Sequence, residues 1–337
     1  MIKNSYIVDI ETHLPSTILT NEELEKEFLD WPAEKILSKT GIKERRVASK
    51  DECASDLAIV ASEKLLAKYD RNKIDFLLFC TQSPEYLLPT NACLIQDRLK
   101  LSTACGALDF NLGCSGFVYG LGLAKSLIES DHVENVLLLN ADTYTKYINP
   151  KDKSVRTLFG DAATATLIGS EKGIAKLSGP FVYGTDGSGK DNLIVKTRGM
   201  RNDYVSDAKL ETDNSGNART INDLYMNGMG IFAFTSLSVP TLINDTLKKA
   251  TLSMDDIDLF VFHQANIFIL NHLQKLLSIS NDKMVISIEN TGNTVSCTIP
   301  IALKDIMEKG KLKEGYNVML IGFGVGYSWG ATIIKWM

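Results

Sequence analysis

The chain has 337 residues, 45% hydrophobic and 23% charged, with 41 acidic against 36 basic side chains and a net charge of −5. That balance gives no field for a polyanion, and no apolar stretch reaches the roughly 18 residues of a spanning helix, so neither nucleic acid nor a membrane is an expected partner. Six cysteines (Cys53, Cys80, Cys93, Cys105, Cys114 and Cys297) are scattered without a CxxC pair, which excludes a zinc ribbon or disulfide scaffold and, with no signal-peptide run at the start, points to the cytoplasm.

In chain order, the first strong signal is the apolar run at 74–80 (IDFLLFC), which reads as a strand buried on both faces and followed by a helix over 91–99. Residues 106–113 read as a strand closing on glycine, and a helix follows Cys114. A strand at 134–139 leads into a polar excursion at 143–158 before the strand at 165–168. Residues 184–222, rich in Gly, Asp, Asn and Ser, read as a long surface excursion. The run 257–263 (IDLFVFH) then repeats 74–80, with a helix over 267–277 behind it. A short strand is expected at 286–289, a turn at 290–296 and a helix from Pro300 to Met307. Residues 316–321 repeat 134–139, and 331–334 repeat 165–168. Three pairs in one order imply two βαβ-rich halves, 1–172 and 173–337, with a site between them at strand ends.

Chemistry gathers at few positions. Cys114, flanked by Gly113 and Gly116, stands where a strand turns into a helix; the helix dipole and free N–H groups there favour a thiolate and can hold an oxyanion. Of four histidines, His263 ends a buried strand, whereas His13, His132 and His272 read as solvated or outward-facing. Asn293 lies in a turn where a fixed amide could donate to a carbonyl becoming an enolate. The glycines at 322–330 suit close backbone approach better than phosphate binding, because no helix follows them.

The runs NLGCSGF (111–117), HQAN (263–266), GNT (292–294) and FGVGYSWG (323–330) resemble the β-ketoacyl-acyl carrier protein synthase III family, as do TGIKER (40–45) and LFGDA (158–162). The resemblance implies a thiolase-like α/β fold whose duplicated halves stack as five layers, α-β-α-β-α, in a homodimer. It implies no cofactor. Cys114 would carry the acyl group, His263 and Asn293 would hold a malonyl thioester as it loses carbon dioxide, and the backbone N–H groups of Cys114 and Val325 would hold the oxyanion. Phe159 would line the site. The partners implied are an acyl carrier protein and acyl and malonyl thioesters, bound to coenzyme A or to the carrier.

The chain departs from the family pattern at several places. Val325 replaces a usual glycine, and Lys35 and Lys153 replace a Trp and an Arg that sandwich adenine, with Trp31 nearby as a substitute. Phe268 and Ala233 stand at basic carrier-docking positions, where Lys275 remains, and Leu88 replaces an aromatic primer-pocket wall. These departures resemble a specialised branch. The competing reading is acyl transfer to a hydroxyl or amine on the same fold, without a new carbon–carbon bond.

Overall fold

The computed structural model describes residues 3–337. Ten strands form one mixed sheet: β1 (Tyr6–His13), β2 (Phe76–Cys80), β3 (Gly106–Phe110), β4 (Asn135–Asp142), β5 (Ala162–Gly169), β6 (Ala175–Lys176), β7 (Phe181–Thr185), β8 (Leu259–Phe262), β9 (Asn317–Gly324) and β10 (Ser328–Trp336). Their spatial order is β8-β9-β10-β6-β1-β5-β4-β2-β3, with β7 also on β10. In the first half β2 runs parallel to β4, and β4 antiparallel to β5, aligning Phe76, Val136 and Ile168. In the second half β8 runs parallel to β9, and β9 antiparallel to β10, aligning Leu259, Val318 and Ile334. The short β6 pairs with β1 on one side and β10 on the other.

Side chains alternate across these strands, and each face finds its own helices. Leu78, Val136 and Leu138 of the first half, and Val261, Val318 and Leu320 of the second, share a core with α3 (Gly116–Glu129) and α6 (Thr298–Glu308). The opposite face of the first half, with Leu77, Phe79 and Leu139, packs on α1 (Ala54–Leu66) and α2 (Asn91–Arg98). In the second half Phe260, Phe262 and Ile321 pack on α4 (Gly228–Ala250) and α5 (Ile267–Leu276). Helices therefore sit outside, between and outside two strand layers, which is the thiolase-like five-layer arrangement. The middle helix fits because it is small where the layers meet: a Cβ on Gly116 would lie 2.3 Å from Cys80 Sγ.

Two expectations need correction, and one segment is placed more closely. Residues 286–289 form no strand: beyond the bridge from Phe260 to Met284, the Ser287 N–H bonds the Gln264 side chain instead of a neighbouring strand. The polar excursion at 143–158 is largely an interior segment, with Tyr144, Asp152 and Val155 buried, because its turns are closed by its own side chains and by Asp161. His13 is half-buried at the end of β1, and His272 is half-buried with Nε2 2.9 Å from Ser236 Oγ and its ring 4.5 Å from Phe232.

Candidate active site

Cys114 lies two residues before α3, in a turn closed by the Gly116 N–H bonding Gly113 O at 2.8 Å. It is 5% exposed and packs with Tyr144, Phe159, Leu193, Leu224 and Val295, with Val325 against the same cluster. The β9–β10 hairpin passes directly over it: a Cβ on Gly324 would stand 2.8 Å from Cys114 Cβ and 2.9 Å from Sγ. Glycine here is a requirement of that approach. Burial, followed by the Asp142 carboxyl, pushes the Cys114 thiol up to about 12, while the backbone N–H groups of Cys114 and Val325 work the other way. Desolvation thus works against the thiolate that the helix N-terminus favours.

His263 continues the ladder beyond β8, its N–H bonding Ile321 O at 2.8 Å. Its ring meets Phe323 edge-on with centroids 5.6 Å apart, which ties it to the hairpin above Cys114. Nδ1 is 2.7 Å from Thr298 Oγ1. Burial lowers the imidazole to about 3, so the ring stays neutral.

The backbone of Asn293 bridges to Phe159, with Asn293 N to Leu158 O at 2.9 Å and Gly160 N to Asn293 O at 3.1 Å. Its amide orientation is fixed: Oδ1 accepts from Val295 N at 3.0 Å and Nδ2 donates to Ala265 O at 3.3 Å. The second Nδ2 proton is left for the site, 3.5 Å from His263 Nε2. The fold thus joins the thiol, the imidazole, the amide and Phe159 through one hairpin and one short bridge.

A cavity of about 800 Å3 lies beside this cluster: its walls include Tyr144, Leu193, Leu224 and Val325 from the surroundings of Cys114, but not Cys114, Phe159, His263 or Asn293 themselves. Its outer wall comes from Tyr147 and from residues 193–199, so the 184–222 excursion helps to enclose it. Gln82 braces the rim: Tyr144 Oη bonds its Oε1, and Tyr147 Oη bonds its carbonyl at 3.0 Å. Gln82 and Tyr144 carried no recognisable sequence signal, because each works through a contact some 60 positions away.

The other expected binding residues lie elsewhere. Leu88 does not line this chain's cavity; it is 85% exposed on the loop between β2 and α2, and Leu87 takes the lining position. Lys153 is buried against Asp30 in an ion pair. Lys35 bonds Asp30 O at 3.0 Å and stands 5.1 Å from the Trp31 ring centroid. These two lysines and one face of Trp31 are already engaged. Lys275 is exposed and, with Phe268, lines a surface groove against the helix Ala33–Thr40.

Comparison with known proteins agrees with this architecture. Profiles described as 3-oxoacyl-[acyl-carrier-protein (ACP)] synthase III and its C-terminal region match residues 108–187 and 247–336. The beta-ketoacyl-[acyl-carrier-protein] synthase III of Clostridium perfringens is 36% identical over 336 residues, covering 99% of this chain and 100% of that protein. A 2.1 Å crystal structure of a 3-oxoacyl-(acyl-carrier-protein) synthase III superposes with a TM-score of 0.96 at 49% identity, covering 99% of this chain and 100% of the other. The 3-oxoacyl-(acyl-carrier protein) synthase of Burkholderia xenovorans gives 0.90 at 35% identity, covering 99% and 94%. On full-length coverage at these identities, the chain belongs to the 3-oxoacyl-[acyl-carrier-protein] synthase III family of condensing acyltransferases.

Proposed function

We propose that Cys114, His263 and Asn293 carry the decarboxylative Claisen condensation of this synthase III. In the first half-reaction Cys114 Sγ attacks an acyl thioester. The carbonyl oxygen rests on the N–H groups of Cys114 and Val325, and the donor thiol leaves with the proton given up by Cys114. In the second, a malonyl thioester places its carbonyl oxygen between His263 Nε2 and Asn293 Nδ2. The bond to its carboxylate breaks, carbon dioxide departs, and the electron pair attacks the acyl carbon, so that the Cys114 thiolate leaves and takes up one proton from solvent, the proton that the half-reaction consumes. The carrying observation is that Nε2 and Nδ2 lie side by side at 3.5 Å, a distance too long for a good mutual bond and suited to one shared acceptor. Acyl transfer to a hydroxyl or amine is not favoured, since the full-length relatives are named as synthases.

Malonyl and acyl thioesters and an acyl carrier protein are the partners of this reading, and Phe159 a wall of the site. Ion pairing of Lys153 and the stacking of Lys35 on Trp31 favour a donor held by its pantetheine arm over one held by adenine. Lys275 is the cation we assign to an acidic carrier. We further propose that residues 1–172 and 173–337 are duplicated halves, and that two chains form a dimer in the cytoplasm. The six free cysteines fit a reducing compartment. The exposed Leu88 would then close the cavity of the second copy.

The test is an acyl thioester incubation with mass measurement, then addition of malonyl thioester while carbon dioxide is followed. Wild type should gain one acyl group and Cys114→Ala none. Asn293→Ala should keep the adduct and lose carbon dioxide release by on the order of 100-fold, the usual cost of removing one oxyanion donor. An ester or amide product without carbon dioxide would overturn the condensation reading.

A further inference from the structure

The donor pair leaves a question of protons. A neutral imidazole has a single N–H, and only the form with the proton on Nε2 can donate to the malonyl carbonyl beside Asn293. The groups behind the ring decide between the two forms. Thr298, buried at the start of α6, places Oγ1 2.7 Å from His263 Nδ1 and 3.1 Å from Val295 O. Val295 O already accepts the backbone N–H of Thr298. Val295 O can take a second bond, but at 3.1 Å it is the farther of the hydroxyl's two acceptors, and the shorter 2.7 Å contact gives the hydroxyl proton to the Nδ1 lone pair. The other side of the ring agrees. A bare Nε2 would draw in the free Asn293 Nδ2 proton, yet Nε2 stays 3.5 Å away while the amide nitrogen bonds Ala265 O at 3.3 Å.

We propose that Thr298 is a positioning residue: by donating to Nδ1 it holds His263 in the Nε2–H tautomer, and so serves the decarboxylation half-reaction. This inference rests on the assignment of His263 and Asn293 as the malonyl carbonyl donors. It makes acylation of Cys114 largely independent of Thr298, because the acyl oxyanion rests on backbone N–H groups instead. A backbone donor could hold the ring in the same way. Thr298 is buried, and valine keeps its shape, so removal of the hydroxyl alone is a clean perturbation.

Thr298→Val keeps the shape and deletes the donor, leaving the Val295 carbonyl as the acceptor near Nδ1; Thr298→Ser restores the hydroxyl. In protein labelled with 15N-histidine, two-bond proton–nitrogen correlations report which ring nitrogen carries the proton, with His263 assigned from the signal lost in His263→Ala. The expected result is Nε2–H in wild type and Thr298→Ser, and a shift toward Nδ1–H in Thr298→Val. With it, carbon dioxide release in Thr298→Val should fall by on the order of 100-fold, while adduct formation on Cys114 changes by less than about threefold and Thr298→Ser recovers most of the rate. A wild-type ring protonated on Nδ1, or a Thr298→Val enzyme with unchanged decarboxylation, overturns the proposal. So does an equal loss of both half-reactions that serine does not restore, which would mark a packing role. A His263→Ala enzyme that still decarboxylates malonyl thioester at the wild-type rate would instead sink the assignment of the donor pair.

Discussion

Asp142 is a buried carboxyl that the condensation does not use, and its environment predicts how folding responds to pH. Its Oδ1 accepts from Gln82 N at 2.7 Å and lies 3.3 and 3.4 Å from the Ser83 and Thr81 hydroxyls, while Oδ2 faces Ser296 Oγ at 3.5 Å. Burial raises the carboxyl to about 7 against those hydrogen bonds, above its ordinary 3.8. A group that holds its proton more tightly when folded takes one up on folding, so its effect is destabilising as pH rises from about 4 and levels off above about 7. An asparagine amide in its place would keep an oxygen for the three donors and turn its nitrogen to Ser296. Asp142→Asn should therefore gain on wild type as pH rises, by an amount on the order of 4 kcal/mol at pH 8. Denaturant midpoints between about pH 3.5 and 8 measure it, and parallel curves for the two proteins would refute it. No sequence pattern marks Asp142 or Thr298, because a buried polar side chain is identified by partners that only the fold assembles. The proposed trio could be picked out in the sequence for the opposite reason, since His263 directly follows an apolar strand run and Cys114 and Asn293 lie in Gly-bearing turns just before helices.

Elements divide in the same way. The strands of both halves can be read from their continuous apolar runs, which burial on two faces demands. The segment 286–289 has the composition of a strand, but Gln264 takes the hydrogen bond a neighbour would have supplied. The segment 143–158 looks polar because carboxylates satisfy its backbone inside the protein: Ser154 N donates to Asp152 Oδ1 and Thr145 N to Asp161 Oδ1. The hairpin of β9 and β10 was expected to bring backbone close to the reacting centre, and the approach of Gly324 to Cys114 gives it a sharp test. Gly324→Ala puts a methyl where Sγ must move to attack. The Cβ would stand 2.8 Å from Cys114 Cβ, so the hairpin or the Cys114 turn must shift to admit it; the melting temperature should fall while circular dichroism shows the fold kept. Acylation of Cys114 should fall by on the order of 100-fold, the scale expected when a reacting group is displaced by about 1 Å. Adduct formation at the wild-type rate would show that the thiol has room the packing denies it.

At the scale of the whole molecule, the net charge of −5 would leave the acidic carrier protein proposed above dependent on local cations such as Lys275, and would leave the proposed self-association to apolar surface. One patch of that surface lies at a sheet edge. β3 ends the ten-stranded sheet with its outer edge unpaired among the described residues, and Leu108 on it is 47% exposed. Tyr86, Leu87 and Leu88, on the loop that follows the neighbouring β2, are more exposed still. An uncovered edge strand flanked by large apolar side chains is a place where another strand adds. A twofold axis at β3 would pair it with its own copy, extend the sheet through both chains, and bring each Leu88 toward the partner. A glutamate in place of Leu108 would then meet its twin across the axis, where like charges oppose each other in a desolvated pair. Wild type should run at twice the chain mass in light scattering at micromolar concentration, and Leu108→Glu should shift toward the single-chain mass while keeping its circular dichroism. If Leu88 closes the partner's cavity, the same variant should lose acyl-chain selectivity as it loses the dimer. A wild-type chain that stays monomeric at these concentrations would refute both, and would leave the 800 Å3 cavity closed by this chain's own 193–199 segment alone.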